Sequence, residues 1–537
     1  MPPDSCQVLI AGAGPTGLAL ALWLARAGVR LRIVEREPSP PETSRAIAVQ
    51  ARTLELYRQL GIADRIIAGG RTLDALNVWV RGHKVAHIPF GDIGRGRSRY
   101  PFVLMLAQDQ HERLLTAALK EAGVAVQRGV SLTGFTFDDS GVHARLAMPD
   151  GRSETCAARY LAGCDGARSI VRHTVNIGFP GGTYGHLFYV ADLQAEGPAA
   201  DGQLHVALDD AGFLGAFPLK GTGHVRLIGT VRADAVAADP SDGGGEGSTL
   251  TWDDVDQRLL EGVGLRVREV QWFSTYHVHH RVVDRFGQGP VFLLGDAAHI
   301  HSPVGGQGMN TGIGDAFNLA WKLAEVLRGR APASLLDTYE QERRAFAGRL
   351  VATTDRLFTL ATRDGVIARW LRTHAVPPTI ARVFSTERGR QFLFATVSQT
   401  RIRYRSSALS HGRAGVLHAG DRLPWLAADV ADADDNDNYA PLGARQWQAH
   451  VYGQPMSGVE ALEAACRRRD IPLVKRPWQP SAGDAGFEPG ALYLIRPDGY
   501  LAFVDRDGGA ANTLDAYLGR HFLGATAPKT APAPGSP

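Results

Sequence analysis

The sequence predicts an α/β protein built from a doubly wound parallel-sheet unit, a β-rich insertion and a smaller α/β unit toward the C-terminus. Three observations carry this reading. Residues 7–35 read as strand, glycine turn, helix and strand. Strand-like runs dominate residues 188–281 before a buried strand returns at 291–294. Strand and helix alternate again over residues 419–522.

Taken in order, residues 7–11 are a short apolar strand and Gly12-Ala13-Gly14-Pro15-Thr16-Gly17 a tight turn. Residues 18–27 form a helix that stops at Gly28, and residues 31–35 a second strand. This context gives the GxGxxG spacing its meaning: the first glycine permits the turn, the second admits a pyrophosphate, and the third lets helix and strand pack closely. Glu35 ends the second strand 18 residues after Gly17, where a carboxylate accepts hydrogen bonds from an adenosine ribose, with Arg36 beside it. An exposed strand-end charge is the alternative for Glu35.

Residues 109–123 are helical, and short strands over 124–148 end at the turn Pro149-Asp150-Gly151. An apolar strand at 160–164 carries Asp165-Gly166 at its carboxyl end. The β-rich stretch is broken by a Gly/Ser/Asp-rich segment, 239–248, that reads as a mobile loop. After the strand at 291–294 come Gly295-Asp296 and then Gly305-Gly306-Gln307-Gly308, which open a helix over 312–328 with Ile313, Phe317, Ala320 and Leu323 on its apolar face. Helical patterns run on to about residue 400, and a Pro/Ala/Thr-rich tail from Ala525 reads as disordered.

Composition narrows the function. With 537 residues, 58 basic and 55 acidic, the chain has a net charge of +3 and no long basic run, which argues against nucleic acid or an anionic membrane as the main partner. A small soluble substrate fits better. Cys6, Cys156, Cys164 and Cys466 form no CxxC, so neither a disulfide framework nor a metal site is expected, and a reducing cytoplasm is the simplest compartment. The uncharged run 8–25 lacks a basic leader and is interrupted by Pro15 and glycines, so it reads neither as a signal peptide nor as a membrane span.

A single GxGxxG is a weak signal, but three glycine segments, at Gly12, at Asp165-Gly166 and from Gly295 to Gly308, point to one large bound flavin. On these motifs the chain resembles the class A flavoprotein monooxygenases, single-component FAD-dependent aromatic hydroxylases such as phenol and pentachlorophenol monooxygenases and polyketide hydroxylases. The resemblance covers about residues 7–400. It implies a Rossmann-like FAD-binding domain in two parts, 1–182 and 285–405. Between them it implies a β-rich substrate domain at 183–284 to which 76–100 contribute, and after them a thioredoxin-like domain at 410–524 with a disordered tail at 525–537. Cys466 is the only cysteine of that C-terminal domain, so packing and oligomer contacts, such as those of a homodimer, are its expected roles, not thiol exchange.

The resemblance further implies that Arg45 and Gln108 reach the phosphates and ribityl chain, and that Asp296 binds a ribityl hydroxyl. A surface arginine and a helix-capping glutamine are the alternatives for the first two. Asp165 and Gly166 serve flavin and nicotinamide, with Ser169 and Arg172 as helpers, although Arg172 also reads as a solvated helix charge. Gly305, Gly306, Gly308, Met309 and Asn310 lie beside the flavin ring, where a helix N-terminus faces its negative charge when reduced, and Pro303, which is also a catalytic candidate, brings its backbone carbonyl near the substrate.

In such an enzyme NADPH or NADH reduces FAD, O₂ adds to give a C4a-hydroperoxide, and an electron-rich phenol attacks it. No second GxGxxG unit is present, so the nicotinamide must dock transiently. A base or proton relay is expected near the phenol, and Tyr276, His277 and His279 are the catalytic candidates from the densest titratable run of the cover. Alternation places His277, His279 and Arg281 on one strand face and Tyr276 and His280 on the other. His299 and His301 are expected to shape the flavin loop, and the charges of Glu340, Glu342 and Arg343 to pair structurally. A Baeyer–Villiger or epoxidising monooxygenase is the close alternative, and a flavin-binding sensor or sequestering protein the non-enzymatic one.

Overall fold

In the computed structural model, residues 6–41, 46–91, 93–209, 212–231, 250–302, 306–362, 382, 384, 386–427, 437–454, 459–506 and 511–521 are described. The chain divides into two compact units, Met1–Phe317 with Arg343–Arg401, and Asn318–Glu342 with Ile402–Pro537.

The first unit is organised around the apolar run before Gly12, which forms the strand Cys6–Ala11 at the centre of an eight-stranded sheet. Its neighbours Ser153–Gly163 and Leu31–Glu35 run parallel to it, and Val291–Leu293 and Gln127–Arg128 extend the parallel set on either side. Val8, Leu9, Ile10, Ile33, Leu161, Val291 and Leu293 are all completely buried, as expected of parallel strands covered on both faces. In register, Ala11 stands beside Val34 and Gly163, and Gly163 beside Leu293. Four strands therefore end along one sheet edge, and each of the three glycine segments follows one of them.

The helix Pro15–Arg26 starts three residues earlier than the sequence alone would place its core, because Pro15 occupies the first turn without costing a hydrogen bond. Leu18, Leu20, Leu22, Trp23 and Leu24 bury it on nearly every side, and Gly28 at φ +73° ends it.

A second eight-stranded sheet belongs to the same unit. Its order is His299–Ile300, Arg266–Val282, Gly181–Glu196, His224–Thr230, Gly212–Pro218, Leu204–Asp209, Ala75–Val80 and His83–Pro89. The last two strands come from the 76–100 region, joined through the parallel pairing of Leu204–Asp209 with Ala75–Val80. One face packs Leu187, Tyr189, Ala191, Leu193, Leu214, Ala216 and Leu227 against Leu259 and Leu260 of a short helix, Gln257–Gly262. That helix lies inside a stretch that the sequence reads as dominated by strand-like runs; six residues are too few for a helical period to stand out.

The second unit carries a six-stranded sheet in the order Leu417–His418, His411–Ala414, Leu501–Asp505, Leu492–Ile495, Gln448–Tyr452, Leu473–Arg476. Residues 318–342, grouped by sequence with 285–405, pack here. The reason is charge burial: Glu342 lies 3.0 Å from Lys322 and 2.6 Å from Arg496, which also pairs with Asp498 at 2.6 Å, and none of the four is more than 3% exposed. Such ions must travel together, since each alone would be costly to bury. Trp321, Tyr404 and Tyr500 place their rings against the Arg496 guanidinium. Cys466 is buried in the helix Val459–Arg468, and burial pushes its thiol up to about 11. The predicted loop 239–248 and tail 525–537 lie outside the described residues. Among the described residues no helix is long and apolar enough to cross a membrane.

Candidate cofactor and active site

At the first strand end, Gly12 has φ +98°, and a Cβ there would sit 2.3 Å from the Cys164 carbonyl oxygen. A Cβ on Gly17 would sit 2.1 Å from the Gly12 carbonyl oxygen, so helix and turn close only on glycine. Gly14 is different: a Cβ there meets nothing within 4 Å, and Gly14 is the N-cap of Pro15–Arg26 with no side chain capping it. The helix thus presents free backbone N–H groups to open space. Beside it Glu35 is held in place, its Oε2 accepting from the Ala13 N–H at 2.8 Å and its Oε1 from the Glu37 N–H at 3.1 Å. Arg36 is exposed and pairs with Glu37 at 3.1 Å.

The second segment follows the strand Ser153–Gly163. Asp165 Oδ2 accepts from the Val171 N–H at 3.1 Å, while Oδ1 is buried with no hydrogen-bond partner among the described residues. Burial raises this carboxyl above its ordinary value. Gly166 supplies the left-handed turn at φ +75°, and Ser169 caps the helix Ile170–Thr174 by accepting from the Arg172 N–H at 3.0 Å. Arg172 is not a solvated charge. It is 4% exposed, donates to the carbonyls of Ala167 at 2.8 Å and Ala297 at 3.1 Å, and stacks on Phe179. It ties the second segment to the third, a role that a lone arginine in sequence does not announce.

The third segment meets the first at Thr16. Cβ atoms on Gly295 and Gly312 would lie 2.7 Å and 2.3 Å from Thr16 Oγ1. Asp296 projects from the turn Gly295–Ala297 as an exposed residue. The turn is fixed from behind by Asp315, whose Oδ2 accepts from the Gly295 N–H at 3.0 Å and lies 2.7 Å from His299 Nε2. Arg343 Nε donates to Asp315 Oδ1 at 2.6 Å and its Nη2 to the Thr311 carbonyl at 3.0 Å. Burial opposes ionisation of Asp315, but Arg343, His299 and the Gly295 N–H outweigh it and hold the carboxyl below its usual range. His299 thus braces the loop, as expected, and Arg343 is structural. Asp315 went unnoticed in sequence, although a carboxylate inside the apolar run 311–324 is itself a signal of a buried charge.

Gly306, at φ +61°, lies against Ala48, and Gly308 begins the helix Gly308–Leu327. Met309 touches His111, whose imidazole burial drives down to about 3. Asn310 accepts from the Gln50 N–H at 2.9 Å and Thr53 Oγ1 at 2.7 Å, and donates to the carbonyls of Ala48 at 2.9 Å and Gly306 at 2.8 Å. Its amide is committed to shaping the loop. Gln108 opens the helix Gln108–Glu121 and donates to Glu112 at 2.8 Å, and burial raises the Glu112 carboxyl to about 7. Arg45, Pro303 and Gly305 lie outside the described residues.

The substrate sheet turns its second face toward this assembly, because Arg226 on that face donates to the Ala46 carbonyl at 3.1 Å. The same face carries Asp192, paired with Arg226 at 2.6 Å, and Trp272, Phe188, Val278 and Tyr276. The His280 ring lies against Tyr184 there, its centroid 4.8 Å away and its plane tilted by 56°. His277 and His279 point to the opposite face, where His279 Nδ1 lies 2.8 Å from Thr183 Oγ1. Of the four catalytic candidates, Pro303 lies outside the described residues, and of the other three the structure brings only Tyr276 to the side facing the glycine segments. Among the described residues no group of three His, Cys, Asp or Glu side chains could hold a metal ion.

The residues present fit a dinucleotide: an uncapped helix N-terminus in open space, a fixed strand-end carboxylate and a buried carboxylate oxygen still lacking a partner among the described residues. Residues 5–354 match the FAD binding domain family. The chain belongs to that family. It is 33% identical over 554 residues to 6-methylpretetramide 4-monooxygenase of Streptomyces rimosus, covering 97% of this chain and 95% of the relative. It is 29% identical over 549 residues to pentachlorophenol 4-monooxygenase of Sphingobium chlorophenolicum, covering 96% and 97%. Its fold superposes on that of anhydrotetracycline hydroxylase from Streptomyces rimosus with a TM-score of 0.77 and 29% identity, covering 96% of this chain and 99% of the other. This member of the family is an FAD-dependent monooxygenase, and the sensor reading is set aside.

Proposed function

We propose that this enzyme uses NAD(P)H and O₂ to hydroxylate a phenolic or polycyclic aromatic substrate. The observation that carries this is the convergence of three glycine segments under one aromatic sheet face, linked through Arg226 and Ala46. The flavin, when bound, supplies hydride acceptance and O₂ activation at its C4a position. The protein supplies binding, orientation and dryness.

In this reading Gly12, Gly14, Pro15, Thr16 and Gly17 seat the pyrophosphate, Glu35 and Arg36 the adenosine ribose, and Arg45, Gln108, Asp165 and Asp296 the phosphates and ribityl chain. The N-terminus of Gly308–Leu327 favours the reduced ring through its partial positive charge. Phe188, Trp272 and Val278 exclude water and offer flat apolar surface to an aromatic ring. Tyr276 is the group best placed to take or relay the phenol proton, whereas His277 and His279 would act only by shaping the strand. Pro303 is kept as a substrate neighbour by the family resemblance. NAD(P)H docks transiently, in a cytoplasmic enzyme.

The C-terminal sheet supports the thioredoxin-like reading. Gln448–Tyr452 and Leu473–Arg476 are parallel with the helix Val459–Arg468 between them, Leu492–Ile495 is antiparallel to both its neighbours, and Leu501–Asp505 runs parallel to His411–Ala414 on its other side. Contacts in a homodimer are its proposed role.

The test is NAD(P)H oxidation by the purified holoenzyme with and without a panel of phenols and polycyclic phenols. The proposal predicts faster oxidation with at least one phenol, together with an oxygenated product. A rate unaffected by every compound, with peroxide as sole product, contradicts it.

A further inference from the structure

Packed against the third glycine segment is a non-glycine residue at positive φ, Gln399. It follows the helix Glu387–Val397 and its C-cap Ser398, and it sits at φ +60°, the left-handed conformation that a helix-terminating glycine normally takes. A glutamine held there has a backbone cost that its surroundings must offset. What it gains is a set of buried contacts: Gln399 is 4% exposed, and its Nε2 donates to Gln307 Oε1 at 2.7 Å, to Thr311 Oγ1 at 3.0 Å and more weakly to the Gln307 carbonyl at 3.4 Å. Gln307 answers by donating its own Nε2 to the Val397 carbonyl at 2.7 Å. The Arg52 N–H also donates, at 3.1 Å, to the Ser398 carbonyl, so the same turn anchors the start of the helix Ala51–Gln59.

We propose that Gln399 is a positioning residue for the flavin ring, clamping Gln307 between Gly306 and Gly308 so that the N-terminus of Gly308–Leu327 keeps one orientation toward the cofactor. The inference rests on the FAD-monooxygenase reading above. Glycine at this position would relax the backbone and remove every side-chain bond, which explains why a strained glutamine is informative: local folding favours Gly, and only the clamp favours Gln. Gln307 and Thr311 are both buried, so the donor lost with Gln399 could not be replaced by bulk water at no cost.

Two variants test it. Gln399→Gly removes strain and clamp together, and Gln399→Asn tolerates the left-handed backbone but falls a methylene short of Gln307. For both, FAD affinity of the apoprotein, the midpoint potential of the bound flavin and the apoprotein melting temperature are measured. The proposal predicts FAD binding about tenfold weaker and a shifted midpoint potential, while the melting temperature of the Gly variant is unchanged or higher. Affinity and potential both matching the unsubstituted protein would overturn it. So would a lowered melting temperature in both variants with an unshifted potential, which would make Gln399 a purely structural residue. An unsubstituted protein that binds no FAD would instead overturn the reading on which the inference rests.

Discussion

Asp296 is the exposed carboxylate of a turn held from behind by Asp315 at the Gly295 N–H and by Arg172 at the Ala297 carbonyl. Its exposed position suits a ligand contact. Asp296→Ala should weaken FAD binding by about 1.5–3 kcal/mol, roughly tenfold to a hundredfold, with little change in apoprotein stability. Flavin fluorescence titration checks this, and full occupancy in the variant contradicts the ribityl assignment. Glu112 makes a pH prediction. Burial raises its carboxyl in the folded protein to about 7, above its ordinary 4.5. The folded state therefore holds the proton more tightly than the unfolded state, and the stability this gives at low pH is lost as pH rises through 7. Glu112→Gln keeps the contact with Gln108 and removes the titration. Relative to the unsubstituted apoprotein it should gain about 1–3 kcal/mol between about pH 5 and about pH 8, and parallel denaturation profiles would contradict this. At this scale the sequence reveals residues whose spacing is local, such as Glu35 after Gly17. It conceals Asp315, Arg343, Arg172 and Gln399, each of which has a partner distant in sequence: Gly295 and Arg343 for Asp315, Ala297 for Arg172 and Gln307 for Gln399.

Elements were more legible than residues. The strand Leu31–Glu35 appears at its predicted bounds, with Ile33 and Val34 buried in the parallel sheet between Cys6–Ala11 and Gln127–Arg128. The strand Ser153–Gly163 runs seven residues further back than its apolar core suggested, because its first half is an antiparallel partner of Gly141–Ala147 with one face exposed. The helix Gly308–Leu327 likewise starts four residues early, its first turn built from glycine and polar residues that carry no apolar period. The turn at Gly12–Gly17 has a narrow tolerance. Gly12→Ala meets both the positive φ and the Cys164 carbonyl, and the backbone conformation alone costs about 1–3 kcal/mol. The variant should unfold at lower temperature and bind FAD poorly, and an unchanged melting curve would contradict the close approach. Gly14→Ala meets no protein atom, so its apoprotein should melt normally while its FAD affinity falls.

For the whole molecule, the two-unit division sets what each part must do. The first unit holds all three glycine segments and the aromatic sheet face, and the second holds its own buried ion cluster and a single buried thiol. Cys466→Ser should leave turnover unchanged in reducing and oxidising buffer alike, and a redox-dependent loss would contradict an inert C-terminal unit. Family membership was legible from the order of the three segments, which the match over residues 5–354 bears out. The substrate was not, because the residues of the Tyr276 face are set by cross-strand register and no local motif encodes it. The central claim, that the enzyme places one atom of O₂ in an aromatic product, is tested most directly by single-turnover mass spectrometry with isotopically labelled O₂ on the holoenzyme. The account predicts one labelled oxygen in the product. A product whose new oxygen comes from water, or a labelled peroxide with no oxygenated product across the phenol panel, would contradict it.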